Sequence, residues 1–243
     1  VTISGRAAIV LAACLSAAGA QAGDFSTFQS LGFSPDGKVY AFEEFGVQDG
    51  SGFPYSNVYF IDTEKDAYLP GTPIRVRLDS EEEGIAKARA ESRDKAKALA
   101  DRYDVLANPG VLAAFNPMGE GNVDTKRIEY LQHAVEPTVG GAFSLAIEDI
   151  ALDMTDRCRD IAPDGIKGFR LKLVKNDGTV ADTLVHEDKR VPESRNCAFS
   201  YQISGAVTFN AFNVKPVHVA LVLVRSFGFE GADGRWIAVP FRP

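Results

Sequence analysis

Apolar and polar residues alternate through most of this chain, and a period of two is the mark of half-buried strands. Residues 39–42 (VYAF) leave a turn at Ser34-Pro35-Asp36-Gly37, where proline pre-sets φ and glycine tolerates a positive φ. Residues 57–61 (NVYFI) read as a second strand, ended by Asp62-Thr63-Glu64, and residues 74–78 (IRVRL) alternate as a third. Between the first two lies a glycine-rich loop, 49–55 (DGSGFPY). Further on, Phe143, Leu145 and Ile147 alternate, as do Phe169, Leu171 and Leu173. The latter run turns at Asn176-Asp177-Gly178 into residues 180–185, and Asp-Gly between two such runs predicts a hairpin. Alternation resumes over 198–207, 217–224 and 236–239.

The period changes once. Ile85, Ala88, Ala96, Leu99, Tyr103 and Leu106 recur at three- and four-residue spacing, which predicts one long amphipathic helix over 79–107 with a single buried stripe. Ser80 with Glu83 reads as a capping box, and Glu81, Glu82 and Glu83 suit the positive end of the helix dipole. Asn108-Pro109-Gly110 stops the helix. Its other face carries charges of both signs and reads as solvated surface. The expected fold is therefore α+β and β-rich, with antiparallel sheets. It comprises a β-hairpin region over 23–78, the helix, and a sandwich-like antiparallel part over 140–243, together forming one domain from residue 23 onward.

The first 22 residues stand outside this pattern and read as a secretory signal peptide. Arg6 supplies a positive start, residues 7–16 an apolar core, and Ala20-Gln21-Ala22 a small-x-small site with cleavage expected after Ala22. That core is too short for the ~20 residues that span a bilayer. A competing reading takes Leu11-Ala12-Ala13-Cys14 as a lipoprotein box, with Cys14 as the lipid-anchored terminus. The expected location is periplasmic or secreted, with no transmembrane span in the processed chain.

Processing would leave Cys158 and Cys197, an even count that predicts a disulfide in an exported protein. No Cys-x-x-Cys spacing occurs and His133, His186 and His218 stand alone, so neither a metal nor a cofactor is expected. Acidic residues outnumber basic ones 33 to 26, for a net charge of −7, which argues against general nucleic-acid binding.

Ser34-Pro35-Asp36-Gly37-Lys38 with Ala41-Phe42 resembles a blade hairpin of TolB-type propellers, which repeat such a signal about every 40–45 residues. Here the Asp-Gly turns at Asp36, Asp164, Asp177 and Asp233 keep no fixed period, so a propeller is not expected. A fuller resemblance rests on three separated segments. They are residues 32–55, the run Arg190-Val191-Pro192-Glu193-Ser194-Arg195-Asn196-Cys197, and Gly228-Phe229-Glu230-Gly231 with Asp233 and Arg235. In that order they resemble the bacterial "predicted secreted protein" family, domain of unknown function 2259. The resemblance implies export from a Gram-negative cell and supplies no catalytic residues.

Two groups of side chains carry candidate chemistry. Glu43, Glu44 and Asp49 lie close to the aromatic loop residues Phe53 and Tyr55. Strand alternation points Glu43 and Glu44 to opposite faces. One of them with Asp49 could hold Ca²⁺ through oxygen ligands or form a carboxylate pair for hydrolysis. Loop amides and nearby Lys and Arg offer these carboxylates a plainer role. Secondly, a Cys158–Cys197 bond would draw Arg157 and Arg159 towards Lys189, Arg190 and Arg195. Guanidinium groups gathered there suit a carboxylate, a phosphate or an acidic glycan. Local ion pairs with Asp156, Glu187, Asp188 and their neighbours are the alternative.

No nucleophile elbow, Ser-x-x-Lys or phosphate-binding glycine loop occurs, so catalytic residues stay unassigned. These features favour a binding or envelope-associated protein whose partner is an unidentified envelope ligand or protein. The alternative is a carboxylate-dependent hydrolase acting on an envelope polymer.

Overall fold

The computed structural model describes residues 23–133, 135–228 and 231–243. The signal peptide, its cleavage site after Ala22, Cys14, Phe229 and Glu230 lie outside them. The first strands are β1 (Thr27–Phe33), β2 (Val39–Val47), β3 (Pro54–Asp62), β4 (Ala67–Tyr68) and β5 (Ile74–Arg77), followed by helix α1 (Ile85–Tyr103). After it come β6 (Val111–Phe115), β7 (Arg127–Leu131), β8 (Ala142–Leu152), β9 (Ile166–Asn176), β10 (Thr179–Glu187), β11 (Ala198–Phe209), β12 (Val217–Phe227) and β13 (Ala232–Phe241). The α+β, β-rich architecture matches the alternation.

The strands form three antiparallel sheets. The N-terminal sheet runs β1-β2-β3-β4, with β5 also on β3; the middle sheet runs β13-β12-β11-β6; the outer sheet runs β10-β9-β8-β7. Apolar clusters fix their stacking. Tyr40, Phe42, Tyr59 and Ile61 of the N-terminal sheet pack on Val219, Leu221, Leu223 and Trp236 of the middle one. On its opposite face the middle sheet offers Tyr201, Ile203, Val222 and Val224 to Leu145, Ile147, Phe169 and Leu171 of the outer sheet. Phe60, Val58 and Ala41 turn the other way, onto Ala96 of α1. Four layers result: helix, N-terminal sheet, middle sheet, outer sheet.

This layering explains the most apolar stretch of the chain. Every residue from Val217 to Val224 is buried, because β12 is covered on both faces. Such runs are usual in parallel sheets; here an antiparallel sheet carries one because it is the inner layer. Phe42 and Tyr59, cross-strand partners on the face of the N-terminal sheet that meets the middle one, stack with centroids 4.5 Å apart, a geometry worth about 0.5–1.5 kcal/mol beyond area burial.

The turns follow their residues. Asp177 and Gly178 both take positive φ (45° and 80°), the type I′ geometry of a two-residue hairpin between β9 and β10. Gly32 sits at a bulge in β1 with φ 132°, and a Cβ there would lie 2.2 Å from the Val105 carbonyl. Only glycine lets that chain segment pass so close.

The helix departs from expectation at both ends. It begins at Ile85, not 79, after an extended Gly84 with no side-chain cap. The Ser80 hydroxyl instead accepts the N–H of Glu82 within a turn, and Glu83 pairs with Lys87 at 2.6 Å rather than reaching back. At the other end Asp104 turns left-handed (φ 50°), which buries Val105 and leaves Leu106 63 % exposed, outside the expected stripe. The helix rests on small residues, Ala88, Ser92 and Ala96, with the Ser92 and Ser56 hydroxyls 2.7 Å apart.

Candidate functional site

Strand β2 alternates between the helix layer and the middle sheet, and this splits its two glutamates as expected. Glu43 faces α1, where Ser56 donates at 2.9 Å, Arg89 Nε at 2.9 Å and Arg93 Nη2 at 2.6 Å. Burial alone would raise its pKa, but these donors outweigh burial and hold it below the usual glutamate value. The charged face of α1 is thus not wholly solvated: Arg89 and Arg93 are committed to Glu43, and Arg89 also covers the Phe45 ring at 3.8 Å.

Glu44 faces the middle sheet and is 1 % exposed. Tyr59 Oη donates to its Oε1 at 2.6 Å and Asn57 Nδ2 at 3.0 Å. Its Oε2 accepts from the Trp236 backbone N–H at 3.0 Å and from Ser26 Oγ at 3.2 Å. Burial beside this carboxylate raises the Tyr59 pKa well above the ordinary phenol value, so the hydroxyl remains a donor. Glu43 and Glu44 therefore do not share a cleft, and each is fully engaged.

A cleft of about 400 Å³ opens beside Glu44, where the N-terminal and middle sheets diverge. Asn57, Tyr59, Tyr68 and Arg75 line one wall; Val224, Ser226, Arg235, Trp236 and Ile237 line the other. The segment Pro192, Ser194, Arg195 and Asn196 closes a third side. Register explains the first wall: Asn57 pairs with Arg75 and Tyr55 with Arg77, so these side chains share the face that carries Glu44.

The guanidiniums differ in what already holds them. Arg235 pairs with Asp24, donates to the Gly234 carbonyl at 2.9 Å and lies 4.9 Å over the Tyr55 ring. Arg195 pairs with Asp188 at 2.5 Å and lies over the rings of Phe169 and Tyr201. Arg77 pairs with Asp79 at 2.8 Å. Arg75 is exposed and has no carboxylate partner among the described residues.

Behind Arg195 stands His186, which contacts Asp188 at 3.1 Å and Asp66 at 3.0 Å and stacks on Phe169. Burial works against its charge, yet the two carboxylates outweigh burial and raise its pKa to about 9. The imidazolium therefore ties the turn before β4 to the segment that presents Arg195. His218, by contrast, is fully buried beside Tyr130 and Phe143, and burial lowers its pKa to about 4.

The other sequence candidates scatter. Asp49 accepts from the Gly50 N–H at 2.9 Å, and its second carboxylate oxygen is buried without a hydrogen-bond partner among the described residues. Phe53 lies 5.7 Å from the Arg77 guanidinium, and Tyr55 donates to Asp24 at 2.8 Å, behind Arg235. Among the described residues, no group of three His, Cys, Asp or Glu side chains is placed to hold a metal ion. Cys158 and Cys197 are joined, with Cα atoms 5.5 Å apart. Around the bond the basic side chains meet local partners. Arg157 donates to Asn196, Arg159 pairs with Asp156, Lys189 with Glu187, and Arg190 is exposed away from the cleft.

Arg75, Asn57 and Trp236 were not candidates, and their only signal is the strand alternation of residues 74–78, 57–61 and 236–239. Arg235 was visible in the third resembling segment. All three of those segments meet here, contributing Glu44, Arg195 and Arg235 to one cleft.

No helix among the described residues is long and apolar enough to cross a membrane. Neither a curated protein nor a solved structure matches the chain. The family described as "Predicted secreted protein (DUF2259)" matches residues 41–242, which takes in nearly every element of the fold and all three walls of the cleft, and the disulfide is consistent with export. The chain belongs to this family of predicted secreted proteins.

Proposed function

We propose that this is a binding protein of the periplasm or cell exterior whose cleft takes a hydroxylated ligand carrying one carboxylate or phosphate. The observation that carries this reading is Arg75, a guanidinium without a carboxylate partner among the described residues, on the wall of a polar cleft. A planar fork with free N–H groups favours a bidentate anion. The other cleft guanidiniums already have acidic partners, and the Glu44 carboxylate on the same cleft is 1 % exposed and covered by four neutral donors, so Arg75 is the guanidinium left to receive an acid group. Asn57, Ser194, Asn196 and Ser226 add amides and hydroxyls that suit ligand hydroxyls. The hydrolase alternative requires two carboxylates across one open cleft. The engagement of Glu43 with α1 and of Glu44 with four donors favours binding instead.

Thermal unfolding of the wild type and of Arg75→Gln tests this, with glucuronate, inorganic phosphate and acetate as probes. Ligand at about 100 times its Kd stabilises by about 2.7 kcal/mol, a rise of roughly 5–10 °C for a chain this size. The wild type should show such a rise with glucuronate or phosphate, and Arg75→Gln should lose it. Equal rises in both proteins, or none with any probe, would contradict the proposal.

A further inference from the structure

The cleft does not end at its own walls. Arg75, Asn57 and Arg235 also line a second cavity of about 430 Å³, which continues past Tyr55 and Arg77. At the other end Tyr68, Arg195 and Ile237 are shared with a third cavity of about 130 Å³ that reaches His186 and Asp66. Arg75 thus stands at the junction of the two larger spaces and Tyr68 at the junction with the smallest. From the geometry we infer that the site is a through-groove for a linear acidic oligosaccharide, with one acid group anchored on Arg75 and hydroxylated units extending both ways. This rests on the reading of the cleft as an anion-binding site and adds the length and class of its occupant.

Three features select a sugar chain. Charge compensation along the groove leaves one unpaired guanidinium among the described residues, which matches widely spaced acid groups better than a run of adjacent ones. Tyr68 is 43 % exposed and presents an aromatic face at the narrowing, where a sugar ring can stack. An extended peptide would bind by adding a strand to the open edge of the middle sheet. Along the groove that edge is already taken: the Gly234 N–H donates to Asp24 O at 2.9 Å and the Trp236 N–H to Glu44.

Trp236 is the sole tryptophan and lines the groove, so its fluorescence reports occupancy directly. Titration should compare glucuronate, a hyaluronan tetrasaccharide (uronate alternating with a neutral sugar) and tetraglutamate. The tetrasaccharide should bind at least about tenfold tighter than glucuronate, about 1.4 kcal/mol. Tyr68→Ala should weaken the tetrasaccharide by more than it weakens glucuronate and so shrink that advantage; an equal loss for both sugars overturns the stacking role of Tyr68. Equal affinity for the two sugars, both lost in Arg75→Gln, overturns the through-groove and leaves a single-anion site standing. Tetrasaccharide binding unaffected by Arg75→Gln overturns the anion site itself. Tighter binding of tetraglutamate than of the tetrasaccharide, or no binding by either sugar, overturns the assignment of an acidic oligosaccharide.

Discussion

The carboxylate of Glu44 accepts the backbone N–H of Trp236 at 3.0 Å, so a side chain from the N-terminal sheet closes the edge of the middle sheet. Asp24 does the same one register step away, through its carbonyl and the Gly234 N–H. Open strand edges invite pairing with other chains. Here one of the two sealing groups, Glu44, also lines the cleft, which couples the integrity of the fold to the shape of the site.

Replacing Glu44 should therefore be costly. Glu44→Ala leaves Tyr59, Asn57 and the Trp236 N–H without their acceptor, while the Ser26 hydroxyl keeps the Gly234 carbonyl at 3.0 Å. Each orphaned buried donor costs about 1–3 kcal/mol, and water from the cleft will recover part of that, so a net loss of about 3 kcal/mol is expected. Glu44→Gln should cost less, because one oxygen still accepts while its NH₂ group faces donors. Urea midpoints at unchanged slope check both values. A loss below about 0.5 kcal/mol for Glu44→Ala would contradict this role.

Glu43 should behave differently from its neighbour. Glu43→Ala takes the shared carboxylate from Arg89 and Arg93, which are 24 % and 46 % exposed and keep access to water, and should destabilise by about 1–3 kcal/mol, with faster amide exchange in α1. Its side chain is on the opposite face of the sheet from the cleft. Ligand affinity, measured where the variant is still folded, should stay at the wild-type value. A parallel fall in affinity would mean that the two glutamates are not functionally separate.

The separation of these glutamates was legible from alternation alone, as were the hairpin turns at 34–37 and 176–178. Their partners were not. Glu44 and Trp236 are 192 positions apart, and Arg75 and Arg195 meet only because the middle sheet lies between the other two. Residues 74–78 read as a half-buried strand, and the outward residues of such a strand are ordinarily plain surface. The expected capping box failed because Ser80 and Glu83 found nearer partners, a local turn and Lys87. Near the disulfide, acidic neighbours hold Arg159 and Lys189, and sequence proximity does not show which way such side chains turn.

His186 makes stability depend on alkaline pH. Its folded pKa of about 9 exceeds the unfolded value, so its contribution is complete below about pH 6.5 and fades as pH rises through about 9. The contribution at pH 7.5 is on the order of 2 kcal/mol. Wild type minus His186→Gln should shrink by most of that amount between pH 7 and pH 10 in urea unfolding. A difference that stays constant over this range would show that the imidazolium is not the stabilising form.

The Cys158–Cys197 bond closes a segment with a sequence separation of 39 and holds the turn that presents Arg195. A loop of this length is worth about 4 kcal/mol in the chain-entropy treatment. Reduction should lower the unfolding midpoint accordingly and weaken ligand binding through a loosened Arg195. Non-reducing mass spectrometry of exported protein should find one bond, and two free thiols would contradict it.

The most direct test of the cleft as the binding site is a crystal structure of the protein with glucuronate. The carboxylate is expected against Arg75 in a two-pronged contact of about 2.7–2.9 Å, with ring hydroxyls on Asn57 and the 192–196 segment. A sugar seated elsewhere on the molecule, with only water between Arg75 and Trp236, would contradict the account.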